Sequence, residues 1–206
     1  PEHWVAAWKW YYDAMWTYHF IPTADYVNSD QFGKGNVFSS GNLAMSHVHT
    51  WYTCCFDLSK TSWDIAVVPS YNGQITAKLH GDTFAILEDS KNKEVAFKVL
   101  SDMVVDQELP QIYGGMPAVV TDRPAFFAAL DERSAPNEID WSVAEEMLNY
   151  PDLPNHEAWT PNPAVVKKLL DTFRNTMDQT PDMNLDEAIA QLKSDLEAAL
   201  KDAPTP

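Results

Sequence analysis

The first residues that could do chemistry are two histidines and a tryptophan within FGKGNVFSSGNLAMSHVHTWY, residues 32–52. His47 and His49 lie two positions apart, so in an extended strand their imidazoles would project from the same face. Cys54 and Cys55 follow shortly afterwards and could add thiolate ligands for a metal. Structural zinc sites usually space their cysteines as C-x-x-C, and this chain has no such spacing. We therefore predict no metal site.

The two cysteines of the chain are adjacent, so within it they can pair only with each other. Free cysteine is among the most buried residue types, which favours two buried thiols. A disulfide between the neighbours, or a bond to a cysteine outside this chain, stays open. None of these alternatives fixes the redox compartment.

Aromatic rings beside polar residues indicate a surface for a sugar. Pyranose rings have apolar faces that stack on Trp or Tyr, and their hydroxyls need Asp, Asn, His and backbone partners. Trp51 lies just beyond a predicted strand, Tyr113 precedes a glycine pair, and Trp159 lies in a proline-rich stretch. Each ring alone is more often part of a core, but three on separate loops together favour carbohydrate recognition.

Asp82 stands out among thirty acidic residues because it follows Gly81 inside an otherwise apolar run, 79–87. A carboxylate there either ends the strand or faces a ligand as an acceptor. Paired carboxylates can also act as acid and base on a glycosidic bond. The sequence contains no G-x-S-x-G, P-loop or H-E-x-x-H motif. We predict a binding protein that is not an enzyme and has no cofactor, while the residues alone leave open an enzyme that uses such carboxylates.

The charge and hydropathy of the chain exclude several classes of partner. The net charge is −16, from 30 acidic and 14 basic residues, so no basic footprint for nucleic acid or a membrane surface is present. No apolar run reaches the roughly 18 residues that a membrane helix needs. No secretory signal opens the sequence, and Pro1 stands in place of an initiator methionine. We expect a mature product or a piece of something longer.

Apolar residues at helical spacing predict helices at both ends of the chain. Residues 3–20 predict an amphipathic helix that ends at Ile21-Pro22. Asn162-Pro163 begins a helix that runs to about Asp178. Asn184–Glu187 has the form of a capping box before the final helix. Further helices are predicted over 93–106 (with an inward apolar face), 122–132 and 141–149.

Three short apolar runs, at 43–48, 64–68 and 79–87, predict strands. Three strands among seven or eight helices are too few to form a sheet that stands alone. The predicted fold class is therefore α/β and helix-rich, with an incomplete sheet.

The order of five segments is similar to a known family. F-G-K-G…G-N-L-A-M-S-H-V-H-T-W, W-D-I-A-V-V-P, H-G-D-T-F-A-I, S-K-N-K-E-V-A-F-K-V-L and M-P-A follow one another. This order resembles the second half of extracellular solute-binding proteins of ATP-binding-cassette sugar importers, the family of maltose-binding protein. The resemblance spans roughly residues 5–200.

The resemblance implies the C-terminal part of a two-lobed periplasmic-binding-protein fold that closes on its ligand. Residues 1–68 and 107–206 would form mainly the C-terminal lobe, 69–106 would supply the crossover with a strand and helix of the N-terminal lobe, and the body of that lobe would be missing. By position, Trp51 matches the family's ring-stacking tryptophan and Gly81-Asp82 the strand that approaches the ligand. Trp159 falls near a family aromatic, whereas His49 stands where the family often has a small residue.

The function that the resemblance implies is capture of a mono- or oligosaccharide in an interlobe cleft and its delivery to a membrane permease. The implied partners are the sugar and the permease subunits, with self-association of the fragment left open. The implied location is extracytoplasmic, either periplasmic or as a lipoprotein at the outer face of the cell membrane. Two alternatives remain, a carbohydrate-active enzyme domain and a helical interaction module whose aromatic residues are simply core.

Overall fold

A computed structural model describes residues 2–33, 36–106, 108–156 and 158–201 of the chain. Helices account for 52% of these residues. The α-helices are α1 (Glu2–Trp16), α2 (Ala24–Val27), α3 (Lys93–Val104), α4 (Glu108–Tyr113), α5 (Arg123–Ser134), α6 (Ser142–Glu146), α7 (Pro163–Gln179) and α8 (Leu185–Lys201). Short 3₁₀ helices lie at Phe38–Ser40, Thr50–Cys54, Val120–Asp122 and Met147–Asn149. None of the described helices is both long and apolar enough to cross a membrane.

The predicted α/β fold class, with its incomplete sheet and its place in a two-lobed periplasmic-binding-protein fold, is wrong. Over the ranges that the structure describes there is no β-strand. The backbone forms only two isolated bridges there, Tyr71 with Gln74 and Ala77 with Pro151. The first closes a turn at Asn72-Gly73, a dipeptide that is a turn signal in the sequence and whose two residues both have positive φ.

The three runs predicted as strands, 43–48, 64–68 and 79–87, are irregular or extended segments without a partner strand. An apolar run forms a strand only when a neighbour shares its backbone hydrogen bonds. Val67, Phe84 and Leu87 are exposed rather than covered by a second layer. The three runs have the apolar composition of strands, but no described segment pairs with them as a neighbouring strand.

The chain divides into two compact units. The terminal unit comprises the described residues of 1–34 and 158–206, and the central unit those of 35–157. The stretch 69–106, which the resemblance assigns to another lobe, lies within the central unit.

The terminal unit is a helical cluster in which α7 packs against α8 and α1 packs against α7. The sequence sets the ends of these helices. Pro163 is at the first turn of α7. At the start of α8, the Glu187 amide donates to Asn184 Oδ1 at 3.4 Å and the Asn184 side-chain amide donates to the Glu187 carboxylate at 3.0 Å. The predicted capping box is half confirmed: Asn184 caps the Glu187 amide, but Glu187 bonds the side chain of Asn184 rather than its backbone amide. The core is Tyr12, Phe173, Met177, Ile189 and Leu192.

The central unit has a smaller apolar core supplemented by polar contacts. Its core is Leu58, Phe126, Leu130, Ile139 and Trp141. The Trp63 indole donates to the Leu58 carbonyl at 2.7 Å, and the Trp141 indole donates to Asp131 Oδ1 at 2.7 Å. The prediction that 93–106 forms a helix with an inward face is only half right. Helix α3 forms, but it contains no buried residue.

Candidate functional site

Trp51 lies in the 3₁₀ helix Thr50–Cys54 of the central unit and is partly exposed. The Tyr52 amide donates to the His49 carbonyl at 3.0 Å, and the Thr53 hydroxyl donates to the Thr50 carbonyl at 2.9 Å. These bonds fix the turn and set the indole beside the His49 imidazole. The two ring centroids are 6.0 Å apart and the ring planes differ by only 15°. Trp51 and His49 therefore form a stacked aromatic pair, and both side chains are partly exposed.

Gly114, at the end of α4, lies directly against this turn. Its φ is +86°, a conformation that residues with a side chain rarely adopt. A β-carbon there would lie 2.6 Å from the Trp51 carbonyl oxygen and 2.8 Å from Thr53 Oγ1. The glycine is therefore required for the close approach that supports the backbone of Trp51. Arg133 also donates to the Thr53 carbonyl at 3.0 Å.

Three imidazoles surround the same place, and we call His49, His80 and His156 the histidine cluster. The ring centroids of His49 and His80 are 5.6 Å apart. Those of His49 and His156, and of His80 and His156, are each 6.3 Å apart. Residues far apart in sequence thus meet at one surface.

Two segments of backbone pair to bring His80 and His156 together. The Ala77 amide donates to the Tyr150 carbonyl at 2.8 Å, and the Asp152 amide donates back to Ala77 at 3.0 Å. The Asn155 side chain donates to the Leu79 carbonyl at 2.8 Å. This pairing is short, but it fixes the register of residues 77–79 against the loop 150–156.

Asp152 is the anchor of that pairing. Its carboxylate accepts from the Leu79 amide at 3.0 Å and from both the His156 amide and Nδ1, each at 2.7 Å. The pKa of Asp152 is lowered to about 2. The hydrogen bond from the Leu79 amide is the largest cause, and the contacts with His156 lower the pKa further. Asp152 therefore stays ionised, holds the imidazole of His156 in place and is itself largely satisfied.

Asp82 and Tyr113 meet on another side of the cluster. Asp82 Oδ1 is 3.4 Å from His80 Nε2. A hydrogen bond with the Asp82 carboxylate is the main cause that raises the pKa of the Tyr113 hydroxyl. The surface therefore offers carboxylate acceptors and a phenol donor next to the rings.

The surroundings of the His49 imidazole lower its pKa. Partial burial is the largest cause that lowers its pKa from the ordinary value. Neighbouring positive charges lower this pKa further. They belong, in decreasing order, to His80, Lys78, His156 and His47.

The structure brings four predicted site residues into one neighbourhood: His49, Trp51, Asp82 and Tyr113. Gly81 lies between His80 and Asp82 in the sequence, and a β-carbon at this position would meet open space. No close approach at this position therefore requires a glycine. Trp159 is 67% exposed and belongs to the terminal unit.

Sequence reasoning missed Lys78, His80, Asp152 and His156. The i, i+4 spacing of Asp152 and His156 was the one available signal, because it suits a carboxylate–imidazole contact within a turn. Nothing in the sequence relates that pair to His80, which lies more than seventy positions away.

The cysteines lie at the end of the Trp51 turn. Both side chains are exposed and their sulfurs are joined in a disulfide between neighbours. The preference for two buried thiols is therefore wrong, because the turn projects both side chains outward. Among the described residues, no three His, Cys, Asp or Glu side chains are placed to hold a metal ion.

No protein-family model matches this sequence, and no curated protein is significantly similar to it. The site therefore has to be interpreted from its own geometry. That geometry combines a partly exposed pair of stacked aromatic rings with carboxylate acceptors, imidazoles that can donate or accept, and a phenol donor.

Proposed function

We propose that the central unit binds a carbohydrate at the surface formed by Trp51, the histidine cluster, Asp82 and Tyr113. The observation that carries the proposal is the partly exposed Trp51 indole stacked on His49, whose neighbouring imidazole, His80, lies against the Asp82 carboxylate. A pyranose ring has one apolar face and a rim of hydroxyls. An aromatic surface with a polar border is complementary to both.

The polar border suits hydroxyls because its members are already held in place. Asp152 fixes His156, and Asp82 lies between His80 and Tyr113. Side chains that are ordered before the ligand arrives lose little further entropy on binding. Of the six residues predicted from the sequence, we expect Trp51, His49, Asp82 and Tyr113 to contact the sugar.

We further propose that the protein captures this sugar for an importer outside the cytoplasm and presents it to a membrane permease. This role is supported by the order of five segments that resembles the sugar-binding components of such importers, and not by the fold. It is a role of binding without turnover. Release of a chromogenic aglycone from a glycoside, lost in Asp82→Asn, would contradict it.

The proposal is tested by thermal unfolding of the whole chain with a panel of mono- and oligosaccharides. A ligand that binds the folded state raises the melting temperature as its concentration passes the dissociation constant. We expect at least one sugar to raise it and to quench tryptophan fluorescence. If no sugar of a broad panel does either, the carbohydrate assignment is wrong.

Single-residue variants test whether the sugar binds at this site. Trp51→Ala should abolish the shift, because it removes the aromatic surface. Trp10→Ala is the matched control, since Trp10 is also an exposed indole but lies in the terminal unit. Equal loss in both variants would contradict the assignment to Trp51. Trp159→Ala decides whether that ring takes part.

A further inference from the structure

Helix α3 presents an apolar face to solvent. No residue of the helix is buried. Val95 is 65% exposed and Val99, one turn later on the same side, is 52% exposed. Met103 continues this side by one more turn and is partly exposed. We call these three residues the valine face. A contiguous apolar strip on a folded protein is typical of a surface that another molecule covers.

The valine face points away from the neighbouring segment of the chain. Phe97 lines a groove beside the helix whose other wall includes Ile86 and Glu88. Val95 and Val99 are each two positions from Phe97, and helix residues at that spacing do not share a side. The groove and the valine face are therefore separate, and the valine face is open.

Two opposite charges border the valine face. Lys98 and Asp102 are exposed, and their spacing of four residues places them on one edge of the helix. The same spacing joins Lys167 to Asp171 in an ion pair on α7. Over the ranges that the structure describes, neither Lys98 nor Asp102 has an ion pair. Both charges are therefore available to a partner.

We infer that the valine face binds the valine face of a second copy of this chain, with the two α3 helices antiparallel. A two-fold axis brings the same edge of both helices together, because each copy uses the same surface. With the axis near Leu100, Lys98 of each copy lies level with Asp102 of the other. The pair of helices then buries apolar side chains and joins opposite charges at once. The inference is independent of the proposed function.

The charges select the antiparallel arrangement. In a parallel pair, the edge with Lys98 and Asp102 would face the other edge of the second helix, where Ala96 and Leu100 carry no charge. The net charge of −16 makes two copies repel each other at long range. Local attraction between lysine and aspartate therefore favours one register over all others.

The size of the helix limits the strength of the association. Helix α3 has 12 residues, and such a helix is about 18 Å long. An interface built on one helix from each copy lies at the small end of specific interfaces. We therefore expect a reversible dimer with a dissociation constant in the micromolar range.

Sedimentation velocity of the whole chain tests the dimer, at concentrations from about 1 to about 300 µM. We expect the sedimentation coefficient to rise with concentration and to level off at the value for two copies. A two-fold pair is closed, so no larger species should form. A chain that stays monomeric at every concentration overturns the inference, and so does continued growth beyond the dimer.

Val99→Glu places a charge in the middle of the valine face. Val99 is exposed, so the change does not disturb a core. We expect the dissociation constant of the dimer to rise at least about tenfold, because a carboxylate would be buried against apolar side chains. Val165→Glu is the matched control, since Val165 is an exposed valine on α7 and the change in charge is the same. Equal weakening in both variants overturns the inference.

Charge reversal tests the antiparallel register. Lys98→Asp and Asp102→Lys each set like charges against each other in the dimer, and each alone should weaken it about tenfold, since two exposed pairs change sign. Mixing the two variants should restore the dimer as a heterodimer, because one copy then carries only aspartates at these positions and the other only lysines. If both variants associate like the unchanged chain, or if mixing restores nothing, the antiparallel pairing is wrong.

Discussion

The terminal and central units hold distant segments of the chain together by different interactions. The terminal unit joins α1 to α7 and α8 through a buried apolar cluster, in which Met177 is fully enclosed. The central unit joins its site segments through backbone pairing and one ionised carboxylate, Asp152. Apolar packing is strong and insensitive to pH, whereas the polar pairing is weaker but leaves functional groups exposed. The candidate site lies in the second kind of region.

The largest expected effect tests the apolar side of this comparison. Met177→Ala removes a side chain with no exposed surface from the contacts among α1, α7 and α8. We expect a loss of about 2–5 kcal/mol in the free energy of unfolding of the terminal unit, the cost of a core cavity. Urea denaturation measures it. Leu200→Ala, at a position that is 43% exposed in the same unit, is the control and should cost far less.

Gly114→Ala tests the support of the site in the central unit. The new β-carbon would lie 2.6 Å from the Trp51 carbonyl, and φ at this position is +86°. We expect about 1–3 kcal/mol of destabilisation from strained backbone, together with loss of any ligand-induced quenching of tryptophan fluorescence. Gly73→Ala separates the two causes, because Gly73 also has positive φ but its β-carbon would meet open space. Equal costs in both variants would show that the clash contributes nothing.

Tyr12→Phe tests a polar contact at the terminal core. The hydroxyl donates to the Pro181 carbonyl at 2.5 Å and accepts from the Met183 amide at 3.1 Å. Its removal leaves the amide without this acceptor, so we expect a loss of about 1–2 kcal/mol by urea denaturation. Tyr18→Phe, at a ring that is 66% exposed, should change stability little. If Tyr12→Phe leaves the free energy of unfolding unchanged, water replaces the hydroxyl fully.

The smallest expected effects are pH dependences of opposite sign. The folded-state pKa of Asp152 is lowered to about 2, so its stabilisation is present above its unfolded value and is lost as the pH falls from about 4 towards 2. Burial raises the pKa of Asp178, against the opposing charge of Arg174. Ionisation of Asp178 therefore costs stability as the pH rises through its folded value.

Measuring the free energy of unfolding across acidic pH in variants of each carboxylate should separate the two contributions. Asp152→Asn should remove the loss of stability between about pH 4 and 2, and Asp178→Asn should remove the opposing slope at higher pH. Asp171→Asn, an exposed carboxylate paired with Lys167 on α7, is the control for a surface ion pair. Identical profiles for the two variants would contradict the contrast between the units.

The helices were predictable because their signals are local. Asn162-Pro163 and the Asn184–Glu187 capping box set the starts of α7 and α8 close to where the structure has them. Helix α1 ends at Trp16, several residues before the predicted end at Ile21-Pro22. His19 there has a positive φ, which is incompatible with a continued helix.

The predicted strands failed for the converse reason. A strand depends on a partner that local sequence does not specify. The run 64–68 has the apolar composition of a strand, but no described segment pairs with it as a second strand. The same limit explains α3, whose apolar residues repeat at helical spacing without a surface to cover them.

The sequence by itself determined the starts of α7 and α8, the turn at Asn72-Gly73 and the ring and carboxylate types at His49, Trp51, Asp82 and Tyr113. These depend on contacts within a few residues along the chain. Only the tertiary structure decided that His80 and His156 join them, because Asp152 ties two segments more than seventy residues apart. It also decided that no sheet forms in the described ranges, since pairing is a property of distant segments and apolar composition alone does not choose the partner.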